Sequence, residues 1–411
     1  MRIIVQKFGG TSLATAAYRE RVADRVAAAR ARGLVPVVVV SAMGRAGDPY
    51  ATDTLIELAR SVDPDIPQRE LDLLISCGET ISSAIMGATL RRRGEPAIVL
   101  TGRQAGIVTD CSFGNARILR VEPEAVLRHI ERGHLCVVAG FQGASESGDL
   151  TTLGRGGSDT TAAALAVALR AELVEIYTDV EGVKTADPRI VPEARTLRVV
   201  SYEEIFQMAH QGAKVVHPRA VELAMRANVP VRVRSTFEEG DGTLITHYFE
   251  ASEGWVGQPI GGRIITGVTH LADVTLLDVR GGPSLPEGAD ANVRVFKPLA
   301  EAGISVDLIN VGPGRRSFTV PREDSAAACA VLQAQGLVVA ATDHCAKVSI
   351  VGSGMHGLPG VMAMVSEALA EEGVEILQTA DSHVTISCLV RRPDMERAVK
   401  ALHRRFDLDH Q

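Results

Sequence analysis

Short runs of apolar, largely β-branched residues alternate with longer helical patterns through roughly the first 240 positions. Residues 3–8 (IIVQKF), 34–42 (LVPVVVVSA), 96–102 (PAIVLTG), 135–143 (LCVVAGFQG) and 173–180 (LVEIYTDV) read as strands. Residues 17–32, 52–62, 68–92, 122–132 and 159–171 read as helices. Strands that are apolar throughout are buried on both faces, so a mostly parallel sheet between helical layers, an α/β sandwich, is predicted. Several of these runs end in Gly, Ser, Thr or Asp, which places polar groups at the carboxyl edge where such sheets bind ligands.

The pattern changes over 238–262, which is rich in Gly, acidic and polar residues and reads as an inter-domain linker with room for one short strand. Beyond it Leu299-Ala300-Glu301-Ala302-Gly303-Ile304 recurs seventy residues later as Leu369-Ala370-Glu371-Glu372-Gly373-Val374. Each copy reads as a helix end, a Gly suited to the left-handed position beyond it, and a strand. Strand candidates at 265–279 and 346–352 precede the two helices, so two small modules of about seventy residues are expected.

A chain of 411 residues is too long for one ordinary core. Its net charge of −7 is spread along the chain, with no basic stripe to track phosphates, which argues against nucleic acid as a partner. The six cysteines form no C-x-x-C pair, which argues against a zinc site or disulfide framework and fits a reducing cytoplasm. The first residues lack a signal pattern, and no run of eighteen apolar residues is present, so no membrane span is expected.

Three turns carry candidate chemistry. Lys7-Phe8-Gly9-Gly10-Thr11-Ser12 follows the first strand; its glycines let backbone approach an anion, and Lys7 offers a charge to a phosphoryl group in transfer. A Gly-Gly turn is also simply a tight connection, and the Walker A pattern is absent. Residues 151–162 (TTLGRGGSDTTA) lead into an Ala-rich helix that Ser158 or Asp159 can cap, with Arg155 presenting a planar fork suited to a carboxylate. Residues 177–189 (YTDVEGVKTADPR) run from a strand into a loop with several acids and bases, a ligand loop or a charged surface.

Taken in order, KFGGTS, SAMG (41–44), SCGET (76–80), GRGGSDTTA (154–162), YTDVEGV…DPR (177–189) and QGAKVVHPRAVE (211–222) resemble the motifs of the aspartate kinases, members of the amino-acid kinase superfamily. Residues 296–310 and 360–387 resemble that family's paired ACT modules. The resemblance implies an amino-acid-kinase-like α/β/α sandwich over 1–245, a linker over 246–262, and two ferredoxin-like α+β modules over 263–342 and 343–411. It implies ATP with Mg²⁺ as phosphoryl donor and L-aspartate as acceptor. Lys7 and Asp159 match the catalytic pair. Thr52, Glu79, Thr152, Arg155 and Ser158 match the substrate site, with Glu79 facing the substrate ammonium and Arg155 and Ser158 clamping its α-carboxylate. Lys7, Phe8, Gly9, Gly10, Ser41, Thr178, Asp179, Lys184, Arg189 and Lys214 match positions around the nucleotide. No protein metal ligands are implied, and His210 and His217 read as packing and a helix start. In the regulatory half Asp307 and Asn310 are candidates for an amino-acid effector: lysine, threonine or meso-diaminopimelate. The second copy has Leu377 and Ala380 there, so the modules cannot bind alike. The family also implies a cytoplasmic homo-oligomer built through the ACT modules, or a form with a shorter subunit from an internal start.

This chemistry is self-consistent. The aspartate side chain is already a carboxylate at neutral pH and needs no general base; the task is to bring two anions together in line. The rival readings are another kinase of the superfamily, acting on glutamate, N-acetylglutamate, carbamate or UMP, and an amino-acid-sensing binding protein with an inactive kinase half.

Overall fold

The computed structural model describes residues 1–213, 215–247, 264–280, 289–355 and 358–410. They fall into two compact units. The first holds 1–183, 196–209 and 215–247; the second holds 184–195, 210–213 and the described residues from 264 onward. Most of the expected linker lies outside the described residues, as does Lys214.

The first unit contains strands β1 (Ile3–Phe8), β2 (Val35–Val40), β3 (Ala97–Leu100), β4 (Ile107–Thr109), β5 (Ile118–Val121), β6 (Leu135–Ala139), β7 (Gln142–Ser145), β8 (Leu150–Thr152), β9 (Leu173–Thr178), β10 (Val199–Ser201), β11 (Val231–Ser235) and β12 (Thr243–Thr246). Its helices are α1 (Gly10–Leu13), α2 (Ala16–Ala31), α3 (Thr52–Val62), α4 (Gln68–Arg92), α5 (Glu124–Glu131), α6 (Gly157–Ala168), α7 (Tyr202–His210) and α8 (Pro218–Arg226). Eight strands form one sheet in the order β10-β12-β11-β9-β1-β2-β6-β3, parallel at every pairing except β11 with β12. Alternation decides the faces. Phe8, Val38, Val40, Val137 and Tyr177 pack with Val22 and Val26 of α2 and Met86 and Leu90 of α4. Lys7, one residue out of phase, belongs to the opposite face, on which α6 packs against β1 and β9.

Two expectations need correction. The run at 135–143 is not one strand: β6 stops at Ala139, Phe141 takes a left-handed conformation (φ 67°), and the chain enters β7 of a separate sheet ordered β5-β4-β7-β8. Nor does Ser158 or Asp159 cap α6. The cap residue is Gly156 (φ 69°), and both side chains fall in the first helical turn. Helix α4, 25 residues long, is the one helix among the described residues long and apolar enough to cross a membrane, but it is half buried and carries buried Asp72 and Glu79 on its inner side.

The second unit contains β13 (Gly267–Arg280), α9 (Ala289–Glu301), β14 (Asp307–Gly312), β15 (Arg315–Pro321), α10 (Ser325–Ala334), β16 (Val338–Val351), α11 (Val361–Glu371), β17 (Gln378–Asp381), β18 (Thr385–Arg391) and α12 (Met395–Arg405). All six strands join one antiparallel sheet ordered β14-β15-β13-β16-β18-β17. The repeat is visible in its wiring. The two long strands β13 and β16 pair along their lengths through an irregularity between Leu271 and Leu276, so each serves both modules. One core holds Leu277, Val295, Leu299, Phe318 and Leu332; the other holds Val348, Val365, Leu369, Val390 and Val399. Gly303 (φ 72°) and Gly373 (φ 65°) follow α9 and α11 in the left-handed conformation that the repeated motif predicts.

Candidate active site

At the carboxyl edge of the large sheet a cavity of about 580 Å³ is lined by Lys7, Gly10, Ser41, Thr52, Glu79, Thr152, Arg155, Ser158 and Asp159 among others. Segments far apart in sequence meet there. Strand β1 delivers Lys7 to the side of the sheet that α6 covers, and its ammonium pairs with Asp159 in the first turn of α6 at 2.7 Å, both side chains being nearly enclosed. That turn also favours a carboxylate through the helix dipole. Asp159 accepts a further hydrogen bond from the amide of His217, which caps α8 as the HPRA motif predicts.

The glycines are steric requirements. A Cβ on Gly10 would lie 2.4 Å from the Ala42 carbonyl oxygen and 2.7 Å from that of Gly44, so only glycine lets the turn after β1 press against the 41–44 segment. A Cβ on Gly156 would lie 2.1 Å from the His217 ring, and its left-handed φ excludes most other residues besides. The Gly9 amide donates to the Tyr177 carbonyl at 3.2 Å, which ties the turn to β9. Phe8, placed with the nucleotide by resemblance, is buried and stacked on Tyr177 with ring centres 4.6 Å apart, so its ring faces the core.

Glu79 is almost fully buried on α4. One carboxylate oxygen accepts from the Ala42 amide at 3.1 Å, and the other has no partner in the protein. Burial pushes its carboxyl up to about 8, against the lowering effect of the Ala42 hydrogen bond. A buried acid with one bare oxygen beside a cavity is suited to receive a cation.

Asp72, two turns earlier on the same face of α4, was not singled out from sequence. It is fully buried and accepts from Gln68 Nε2 (3.0 Å), the Gly114 amide (2.9 Å), the Thr152 amide (2.8 Å) and the Thr152 hydroxyl (3.0 Å). Since that hydroxyl gives its proton to Asp72, Thr152 turns lone pairs toward any ligand and matches an ammonium better than a carboxylate. Arg155 lies exposed at the mouth, where it can fork onto a carboxylate. Thr178 donates to Asp179, and Asp179 pairs with Arg45 at 2.6 Å. Lys184 and Arg189 belong to the second unit, where Arg189 pairs with Asp187 at 2.6 Å.

In the second unit Asp307, on β14, is paired with the ammonium of Lys347, which is buried on β16; its other oxygen accepts from the Leu308 amide. Asn310 is exposed on the same strand. Leu377 and Ala380 pack instead around Leu308 and Leu389, an apolar role that separates the two copies.

A lysine–carboxylate pair, a glycine turn and a buried acid thus meet in one cavity on the ligand edge of a parallel sheet, an arrangement suited to a small ligand that carries both charges. The comparisons agree. Residues 2–235 match the amino acid kinase family and residues 340–404 an ACT domain. Aspartokinase 1 of Bacillus subtilis is 48% identical over 408 residues, which covers 99% of this chain and 100% of that protein. The aspartokinase of Geobacillus stearothermophilus is 42% identical, over 99% of this chain and 98% of its own length. Among solved structures, E. coli aspartokinase III in complex with aspartate and ADP superimposes with a TM-score of 0.78 at 28% identity, over 98% of this chain and 99% of that one. The same enzyme in complex with lysine and aspartate gives 0.75 at 27%, with the same shares covered. The chain belongs to the aspartokinases of the amino acid kinase family.

Proposed function

We propose that this chain transfers the terminal phosphoryl group of ATP to the side-chain carboxylate of L-aspartate, under control of an amino acid bound by its C-terminal unit. The observation that carries the reading is the shared cavity of the Lys7–Asp159 pair and the half-partnered Glu79. Glu79 and Thr152 receive the α-ammonium, and Arg155 with Ser158 holds the α-carboxylate, which leaves the side-chain carboxylate directed at Lys7. An aspartate oxygen attacks the terminal phosphorus, the bond to the bridging oxygen breaks, and its electrons leave with ADP; no proton moves. Lys7 offsets the charge that two anions bring together. Thr178 and Asp179, beyond the glycine turn, suit the nucleotide's remaining length.

Mg²⁺ would arrive on the phosphates and neutralise charge there. In the second unit Asp307 and Asn310 mark the effector site, with lysine, threonine or meso-diaminopimelate as ligands. Assembly through the β14 edge is supported by Ile309 and Val311, half exposed on that edge strand. All six cysteines are unpaired, which favours residence in the reducing cytoplasm.

A coupled ADP-release assay across aspartate, glutamate, N-acetylglutamate, carbamate and UMP tests the substrate, repeated with each effector in turn. Turnover only with aspartate is expected; failure to bind ATP would favour the sensing protein instead.

A further inference from the structure

A cationic side chain that the motifs do not include lines the cavity beside Lys7. Arg45 lies in 44–51, between SAMG and Thr52. Its Nε donates to the Thr11 hydroxyl at 3.2 Å, and its terminal nitrogen pairs with Asp179 at 2.6 Å. Thr11 sits in the short helix that opens at the glycine turn, and Asp179 follows β9, so the guanidinium spans the gap between the two segments read above as the nucleotide's supports.

The backbone below it is fixed. The Arg45 amide donates to Asp48 Oδ2 at 2.8 Å, and the Asp48 amide returns a bond to the Arg45 carbonyl at 2.9 Å. The Gly44 amide donates to the Gly10 carbonyl at 3.0 Å, and the Gly47 amide to the Thr54 hydroxyl at 3.0 Å. The loop is thus fastened to the glycine turn at one end and to α3 at the other. Two cation–carboxylate pairs, Lys7–Asp159 and Arg45–Asp179, flank that turn. An incoming polyphosphate is a better partner for a guanidinium than one exposed carboxylate, because it offers several oxygens to the planar fork.

We propose that Arg45 is a second phosphate-binding cation of the phosphoryl-transfer site, which exchanges Asp179 for the nucleotide's phosphates when ATP binds. It would meet the charge that builds on the bridging oxygen as the phosphorus–oxygen bond to ADP breaks, while Lys7 serves the transferring group. This inference rests on the nucleotide placement given above.

The test is titration calorimetry of the full chain with ADP and with a non-hydrolysable ATP analogue, followed by steady-state kinetics, for wild type, Arg45→Met and Arg45→Lys. Expected for Arg45→Met is at least ~10-fold weaker binding of the ATP analogue and a kcat lowered ~10²-fold, by analogy with loss of one oxyanion donor. The KM for aspartate should change less than about twofold, and Arg45→Lys should recover part of both losses because charge without the fork is retained. Wild-type kcat and ATP-analogue affinity in Arg45→Met would overturn the proposal. So would equal losses in a folded Arg45→Lys and Arg45→Met, which would mark Arg45 as a structural tether. Should Arg45→Met fail to fold, Arg45→Lys decides through its affinity for the ATP analogue relative to ADP. Absence of nucleotide binding by the wild type would instead remove the nucleotide placement itself.

Discussion

At the scale of single residues, Glu79 makes the sharpest commitment. Its folded carboxyl titrates near 8 against 4.5 in the unfolded chain, so the folded state binds the extra proton between those values. Stability from this group is therefore full below about pH 4.5 and is lost as pH rises through 8. Glu79→Gln, which keeps the shape without the charge, should gain stability relative to wild type as pH rises from 5 to 9, as thermal melts in the absence of ligand would read. Substrate binding should run the other way. The ammonium of aspartate needs the carboxylate form, so the wild-type KM for aspartate should fall from pH 6.5 to 8.5, and Glu79→Gln should flatten that profile. A flat wild-type profile would separate Glu79 from the ammonium. At Lys7 and Asp159 the expected outcome is loss of turnover: Lys7→Ala or Asp159→Ala should fold yet retain ~10⁻² to 10⁻³ of wild-type kcat. Lys7, Arg155 and Asp159 were legible in the sequence because each stands in or beside a glycine-containing turn, whereas Glu79 came only from the resemblance of SCGET to the family's motif. Asp72 and Arg45 were not legible. Asp72 is one acid among several on a long helix, and its partners at Gly114 and Thr152 are 42 and 80 positions away. Arg45 belongs to a loop whose residue types are those of any polar turn.

Among elements, the long apolar strands of the parallel sheet announced themselves, whereas β4, β5, β7 and β8 are three or four residues long and show too little alternation to be read. Yet that small sheet carries Thr152 into the cavity, where Asp72 on α4 holds its amide and hydroxyl, while Gln142 of β7 bonds α4 at Ser76 and Thr80. Asp72→Ala would leave the Thr152 and Gly114 amides without their acceptor in a buried site, a loss on the order of 3 kcal/mol. Released from α4, Thr152 should hold aspartate less well, so KM for aspartate rises while KM for ATP moves little. Denaturant unfolding together with the two Michaelis constants checks both halves. An unchanged aspartate KM in a measurably destabilised variant would confine Asp72 to a structural role.

For the whole molecule, the sequence repeat disclosed two regulatory modules but not their shared sheet, because pairing between β13 and β16 is set by register over seventy residues rather than by composition. That shared sheet ends in β14, where effector recognition and assembly are proposed to coincide. Asp307→Ala strips the buried Lys347 ammonium of its carboxylate. The cost should be about 1–3 kcal/mol, below that of a fully enclosed pair because Asp307 is itself largely exposed. Adding Lys347→Met should return the stability without returning sensitivity to the effector, which separates the two roles of Asp307. The neighbouring Ile309 and Val311 supply the last test. An edge strand that leaves two β-branched side chains half exposed invites a second copy of the same edge. Ile309→Lys places a charge on that edge, so sedimentation should show a smaller particle at micromolar concentration. If the effector is recognised across the assembled edge, inhibition should weaken in parallel with dissociation while turnover without effector persists. A variant that dissociates yet responds fully would place the effector within one chain, and one that stays assembled would move the interface away from β14.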